Sequence, residues 1–159
     1  MDLQEKIEAL EKEFNEKIEI LKSEAQQEDE FPKVGEYYFH IGDTGDIYRT
    51  EYAPPYNDDD YECRESIGNI FKNRDEACFA VEKLKVEEEL RKFSRPFKHG
   101  AKNHTINYNH ETEMVVNVNA TATYQETGSF YFDSYEEVVE AIESIGEERI
   151  KKYIFGVED

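Results

Sequence analysis

The sequence lacks tryptophan, contains only two cysteines and two methionines, and has no long apolar run. Cys63 and Cys78 stand at a spacing that fits no metal site. A membrane-spanning helix needs about 20 consecutive apolar residues, so we expect no membrane partner. The acidic, amphipathic start does not have the form of a secretory signal peptide. These absences predict a cytoplasmic protein that carries no cofactor and no metal.

Catalytic motifs are also missing. The chain contains no phosphate-binding glycine loop, no dinucleotide fingerprint and no glycine elbow around a hydroxyl nucleophile. Its four histidines are scattered, and none has a cysteine or carboxylate at the spacing of a metal ligand. Carboxylates are so frequent that a pair of them identifies no acid–base site. We therefore expect a protein that is not an enzyme.

Positive charge is scarce, because 19 Lys and Arg stand against 38 Asp and Glu and leave a net charge of −19. Nucleic-acid-binding proteins carry clustered basic residues that displace counterions, so we expect no direct nucleic-acid binding. The excess of carboxylates has two interpretations. It is either a solvated surface that keeps the protein soluble, or a surface that imitates phosphate charge and competes for a basic groove.

Residues 1–30 contain no glycine or proline and are dense in Glu and Lys. This pattern predicts one long helix over residues 2–28. Its apolar residues recur every three or four positions and form one seam: Leu3, Ile7, Leu10, Phe14, Ile18, Leu21 and Ala25. A narrow seam on a charged helix requires a partner, and we favour a coiled-coil homodimer. Docking onto the chain's own globular part, or onto a helix of a partner protein, remains open.

Two later stretches, Gly68–Phe93 and Gly128–Tyr153, align without gaps at a constant offset of sixty positions. Each begins with a glycine and a short aromatic or β-branched run, followed by a capping box and an apolar stripe at helical spacing. The predicted capping boxes pair Asn73 with Glu76 and Asp133 with Glu136. Gly146 predicts that the second stretch divides into two helices. The first stretch is either broken near Lys85 or one long helix that is buried on two sides.

Two hairpins precede these stretches. Predicted strands at 36–41 and 46–51 flank a tight glycine-containing turn, and strands at 104–109 and 113–124 flank a second turn. In 113–124, valine and alanine alternate with asparagine and threonine, which predicts one wet face. The predicted fold class is α+β. We expect an N-terminal coiled-coil helix (1–30) and then a pseudo-twofold domain (34–159) of two β-β-β-α repeats, at about 34–97 and 102–156.

Two charged clusters are candidate sites. The predicted exposed loop 52–60 ends in an acidic run. The carboxylates of this run, together with the nearby Glu62, are candidates for binding a protein partner: Asp58, Asp59, Asp60 and Glu62. The run lacks the ligand spacing of an EF-hand. The main concentration of basic residues is a candidate anion-binding site, with Arg91, Lys92, Arg95, Lys98 and Lys102 as its members. These cations either neutralise a helix C-terminus and nearby carboxylates, or bind a phosphate or nucleotide.

One resemblance rests on two motifs. Gly68-Asn69-Ile70-Phe71-Lys72 with the Glu and Lys pattern that follows it, and Ile145-Gly146-Glu147-Glu148-Arg149 with Ile150-Lys151-Lys152-Tyr153, resemble runs in small phage and prophage accessory proteins that have an N-terminal coiled coil and a duplicated strand–helix domain.

That resemblance implies a non-enzymatic accessory protein made in the bacterial host cell, and no active-site residue is carried over from it. Together with the charge, it suggests a stoichiometric inhibitor of a bacterial defence system. Such an anti-CRISPR-like protein would bind a host protein such as a CRISPR effector or another defence nuclease. The alternatives are a sponge that sequesters a signalling nucleotide and a coiled-coil structural or assembly adaptor.

Overall fold

The computed structural model describes residues 12–18, 22, 31–120 and 122–157. These residues form an α+β structure, so the predicted class is confirmed. In chain order its elements are α1 (12–18), β1 (Tyr37–Ile41), β2 (Ile47–Glu51), α2 (Asp58–Ser66), α3 (Arg74–Phe93), β3 (Asn103–Asn109), β4 (Met114–Ala120), β5 (Tyr131–Phe132), α4 (Tyr135–Ile145) and α5 (Glu147–Ile154). The chain divides into two compact units, one from residues 1–40 and 48–73 and the other from residues 41–47 and 74–159.

The first unit is built on aromatic packing. Tyr38 of β1 is fully buried and meets Tyr61 of α2 edge to face, with the ring centroids 5.6 Å apart. Tyr52 also packs against Tyr61, with the ring centroids 4.5 Å apart. The Tyr38 hydroxyl accepts a hydrogen bond of 2.8 Å from Arg64. Burial and the neighbouring Glu65 raise the pKa of the Tyr61 phenol above its ordinary value, so this ring stays neutral.

The second unit has three helices on one face of a three-stranded sheet, whose strand order is β4-β3-β5. Both pairings are antiparallel, with Ile106 opposite Asn117 and His104 opposite Phe132. The core joins all six elements: Val86, Leu90, Ile106, Val115, Phe132, Val138, Ala141, Ile145 and Ile150. Burial of these side chains is the main stabilising contribution in this unit.

The predicted long N-terminal helix is wrong for the residues that the structure describes, where α1 has only seven residues. Seven residues make about two turns, which is too short for a coiled coil. Phe14 is 65% exposed, and Ile18 is half-buried. The other five predicted seam residues lie outside the described residues. A charged sequence with an apolar seam favours a helix, but a long helix also needs to pack its apolar seam against a partner.

The predicted pseudo-twofold pair of β-β-β-α repeats is also wrong. The structure has separate two-stranded and three-stranded sheets instead of one shared sheet. Phe71, expected within a third strand of the first repeat, makes only an isolated bridge with Phe39. Residues 58–66, assigned to an exposed loop and its continuation, form α2. The aligned glycines and apolar stripes therefore mark two similar strand-to-helix transitions. Different elements pack against the two apolar stripes, so the likeness between the stretches stays local.

Gly146 separates α4 from α5, as predicted, and it adopts φ +95°. The first stretch is the single helix α3, buried at Ala77 on one side and at Val86 and Leu90 on the other. The second capping box is shifted by one residue from the prediction. Ser134 is the N-cap and accepts from the Glu137 N–H, while the Glu137 carboxylate accepts from the Asp133 N–H.

The faces of β4 are the reverse of what alternation suggests. The asparagine side points toward the helix layer, because Asn117 lies opposite Ile106 and its amide oxygen is 3.0 Å from Nδ1 of buried His104. Val116 and Val118 lie on the other face, opposite Asn107 and Thr105. The hydrogen bond with His104 offsets the energetic cost of placing the Asn117 amide on the inward face. The alternation predicts that the faces differ, but it does not predict which one the helices cover.

Candidate functional site

Arg95 lies at the centre of the predicted basic cluster and is only 13% exposed in its side chain. Its Nε donates to the Asp133 carboxylate at 2.6 Å, and one terminal nitrogen donates to the carbonyl of Pro96 and the side-chain oxygen of Asn103. The other terminal nitrogen donates to the carbonyls of Lys102 and Phe132. A guanidinium has five N–H groups, so these five bonds use all of them.

Asn103 completes this arrangement from a fully buried position at the start of β3. Its side-chain oxygen accepts from Arg95 and from the backbone N–H of Lys98. Its amide nitrogen donates to the carbonyls of Lys98 and Ala101. The four bonds fix the 98–103 turn against the end of α3. We call Arg95, Lys98, Asn103 and Asp133 the Arg95 cluster.

Asp133 provides the negative charge of the Arg95 cluster. Lys98 Nζ donates to its carboxylate at 3.0 Å beside the bond from Arg95. Hydrogen bonds from Lys98 and Arg95 hold the pKa of Asp133 below its ordinary value. The Arg95 cluster therefore holds two cations around one carboxylate, and it is structural, since its arginine has no donor left for a ligand.

The remaining members of the predicted anion site are spread along the surface. Arg91 forms ion pairs with Glu87 at 3.0 Å and Glu88 at 3.5 Å on its own helix. Lys92 and Lys102 are exposed. The structure therefore joins Arg95 and Lys98 through one carboxylate, but it does not gather all five cations around one position.

A cleft of about 520 Å³ opens beside the C-terminal half of α3. Its lining combines cations, hydroxyls and an aromatic ring, and includes Lys83, Arg91, Ser94, Arg95, Ser129 and Phe130. Glu87 also lines the cleft and forms the ion pair with Arg91. In this cleft an anionic ligand with an aromatic part would find both positive charge and a ring.

The predicted acidic partner-binding residues lie in α2. Asp58, Asp59 and Asp60 occupy its first turn, where carboxylates interact favourably with the helix dipole. Asp60 is also 3.9 Å from Arg64, one turn later. Glu62 is exposed. The three aspartates therefore stabilise the start of α2. The sequence predicts an exposed loop for these residues, and that prediction is wrong.

A different acidic surface was not predicted. The outer face of α4 carries Glu136, Glu140 and Glu143, all exposed, and the helix contains no Lys or Arg. Residues four apart lie on one side of a helix, with a rise of about 6 Å, so these carboxylates form a row. We call these three residues the α4 row. Two features of the sequence could have predicted the α4 row. Its glutamates are spaced by four and three residues, and residues 134–148 contain no Lys or Arg.

Two cations of α5, the helix that follows α4, form ion pairs with other carboxylates. Arg149 makes a two-pronged pair with Glu89, with both N–O distances at 3.1 Å, and lies 3.8 Å from Glu82. The pair with Glu89 raises the pKa of Arg149 further above its already high ordinary value. Lys151 pairs with Glu148 at 2.8 Å and Glu147 at 3.5 Å. Since α4 itself contains no Lys or Arg, the α4 row has no neutralising partner on its own helix.

No known protein family, curated protein or solved structure shows significant similarity to this chain. Over the described ranges, no helix is both long and apolar enough to cross a bilayer. Within that same part of the chain, His, Cys, Asp and Glu side chains do not come together in groups of three or more that could hold a metal ion.

Proposed function

We propose that this protein acts by binding and is not an enzyme. It is a stoichiometric inhibitor, made by a phage in its bacterial host, that competes with nucleic acid for the basic groove of a defence nuclease such as a CRISPR effector. The observation that carries the proposal is the α4 row, an exposed line of carboxylates on a helix without Lys or Arg. A nuclease groove is lined by cations that normally meet phosphates, and a row of fixed carboxylates can occupy the same cations.

The charge distribution supports this proposal beyond the α4 row. Arg91, Arg149 and Lys151 form ion pairs within the protein, so they do little to offset the surplus carboxylates on its surface. A net charge of −19 would steer the protein toward a positively charged partner and speed its association. The same charge repels free nucleic acid, so the expected partner is a protein.

The test is a target-cleavage assay with a purified RNA-guided nuclease and increasing amounts of this protein. We expect inhibition that is complete near equimolar protein, is relieved by excess target DNA, and weakens as salt screens the charges. The variant E136Q/E140Q/E143Q should raise the concentration needed for inhibition at least tenfold. The matched control, E51Q/E111Q/E113Q, removes three charges elsewhere and should inhibit like the unmodified protein. Full cleavage at a tenfold excess of this protein would contradict the proposal.

A second candidate function is a sponge for a signalling nucleotide, and the cleft beside α3 favours it. Arg91, Lys83 and Phe130 could contact a phosphate and a base there, whereas Arg95 is fully used within the Arg95 cluster. Calorimetry with cyclic mono- and dinucleotides tests this function. Arg91→Ser should abolish any heat of binding, and Lys92→Ser, on the same helix, is the control. Absence of binding heat with the unmodified protein rejects the sponge.

A further inference from the structure

Helix α4 carries an exposed aromatic ring beside the α4 row. Tyr135 is the first residue of the helix, stands directly before Glu136, and is 56% exposed. Among the described residues its ring stacks on no other ring, and its hydroxyl has no hydrogen-bond partner. The helix packs on the core through Val138, Ala141 and Ile145 instead. The core of this unit therefore does not explain why a large ring stands at this position.

Val139, one turn after Tyr135, continues this apolar side of the helix and is half-buried. Residues four apart lie on the same side of a helix, and each residue is turned by about 100° from the one before it. Tyr135 and Val139 therefore share one side of α4, which lies between the α4 row and the face that packs on the core. We call these two residues the Tyr135 strip.

The Tyr135 strip and the α4 row together offer a ring and carboxylates to one partner. A nucleic-acid duplex presents its phosphates to a protein and keeps its bases stacked inside, so a surface that imitates a duplex needs charge alone. A single strand presents phosphates and the flat faces of unstacked bases side by side. Proteins that bind single strands therefore combine cations with aromatic side chains, and the exposed surface of α4 is complementary to that combination.

We propose that the groove which accepts α4 is one that binds single-stranded nucleic acid, and that Tyr135 occupies the position of an unstacked base in it. This inference rests on the proposed function and names the kind of groove involved. The carboxylates of the α4 row meet the cations that bind phosphates. The ring of Tyr135 stacks on the aromatic or guanidinium group that takes a base. Tyrosine is enriched among the residues that dominate binding energy at protein interfaces, so Tyr135 sets the specificity.

The carboxylates and the ring contribute at different stages of binding. Attraction between the α4 row and the cations of a groove acts over a distance, so it speeds association and weakens as salt is added. A stacked ring contributes only in direct contact, so its loss appears as faster dissociation. Because the ring is uncharged, its removal leaves the salt dependence of binding unchanged. Kinetics and salt dependence therefore separate the two contributions.

The test measures binding of the labelled full chain to a purified RNA-guided nuclease, with two competitors. We expect oligothymidylate to displace this protein at about a tenfold lower concentration than a duplex without a target site. Tyr135→Ala should raise the Kd about tenfold through faster dissociation, with the salt dependence unchanged. Tyr135→Phe keeps the ring and should bind like the unmodified protein. Tyr56→Ala is the matched control, because it removes a tyrosine that is 94% exposed in the first unit.

The variant E136Q/E140Q/E143Q separates the ring from the charge, since it should slow association and reduce the salt dependence. Circular dichroism confirms that each variant is folded. No binding by the unmodified protein overturns this inference together with the proposed function. Full binding by Tyr135→Ala, beside weak binding by the triple variant, overturns this inference alone. Equal displacement by the duplex does so too, as does a loss in Tyr135→Phe or Tyr56→Ala that matches the loss in Tyr135→Ala.

Discussion

Arg95 illustrates how a cation in an acidic protein can be structural and not free for a ligand. Its five donors hold the end of α3, the 96–102 turn and β5 together, and Asp133 balances its charge. Removing an arginine of this kind leaves several acceptors without partners. Such losses cost more than the bonds themselves contribute, because buried polar groups must then stay unsatisfied.

Replacing Arg95 with methionine, which keeps much of the apolar stem, should therefore destabilise the fold. We expect a loss of about 2–4 kcal/mol in the free energy of unfolding, as for other buried hydrogen-bonded charges. Urea denaturation measures it. Lys92→Met, at an exposed site nearby, should change stability by no more than about 0.5 kcal/mol. Equal effects of the two substitutions would show that the Arg95 cluster does not stabilise the fold.

Asp133 should make part of the stability depend on pH. Its pKa is lowered by hydrogen bonds from Lys98 and Arg95, so its contribution is present above the ordinary carboxyl pKa and is lost as pH falls through the lowered value. The unmodified protein should therefore melt at a higher temperature than Asp133→Asn near neutral pH. The difference should shrink as the pH is lowered below about 4. Thermal melts of both proteins across this range measure it, and a constant difference would contradict the assigned cause.

At the scale of elements, the helix break at Gly146 positions α5 against α3 and the sheet. Gly146 adopts φ +95°, a conformation that side chains with a Cβ rarely adopt, and an added Cβ would meet no other atom within 4 Å. Gly146→Ala should thus act through backbone strain alone, at about 1–2 kcal/mol. Chemical denaturation measures the change, with Ser144→Ala in the preceding turn as the control. A neutral Gly146→Ala would mean that α4 and α5 can join into one helix.

Local features of the sequence predicted several elements well. The first hairpin and the division at Gly146 follow from glycines, whereas the second hairpin and the start of a helix after Asn73 follow from alternation and apolar spacing. All of these signals act over a few residues. The pseudo-twofold pair of repeats was predicted from the alignment of residues 68–93 with 128–153 and is wrong, because similar strand-to-helix transitions do not determine which strands pair. Residues 58–66 were missed as a helix because the only residue in them that is buried is Tyr61, which leaves no apolar stripe to recognise.

The candidate site was less predictable than the elements. The basic cluster is visible in the sequence, but the engagement of Arg95 depends on Asn103 and Asp133, which are eight and 38 positions away. Composition cannot reveal which cations are already paired. The α4 row could be read from the sequence as part of a stretch without cations. Its exposure comes only from tertiary structure.

At the scale of the whole molecule, the net charge of −19 opposes the compact state through self-repulsion. Raising salt from about 0.02 to about 0.5 M reduces the range of that repulsion from about 20 Å or more to below 5 Å. The melting temperature should therefore rise by a few degrees, even though exposed ion pairs such as Lys85–Glu82 weaken. Calorimetry at both salt levels measures the shift. A fall in melting temperature would show that ion pairs outweigh the repulsion.

The chain passes between its two units three times, because residues 41–47 belong with 74–159 while both their flanks belong to the other unit. A single cut, wherever it is made, therefore removes part of one unit. An expression fragment that begins at residue 74 lacks the hairpin tip, and one that stops at residue 73 carries that tip without the residues it belongs with. Progressive truncation would therefore produce misfolded fragments. Point substitutions in the intact polypeptide are the better way to locate the residues that carry the activity.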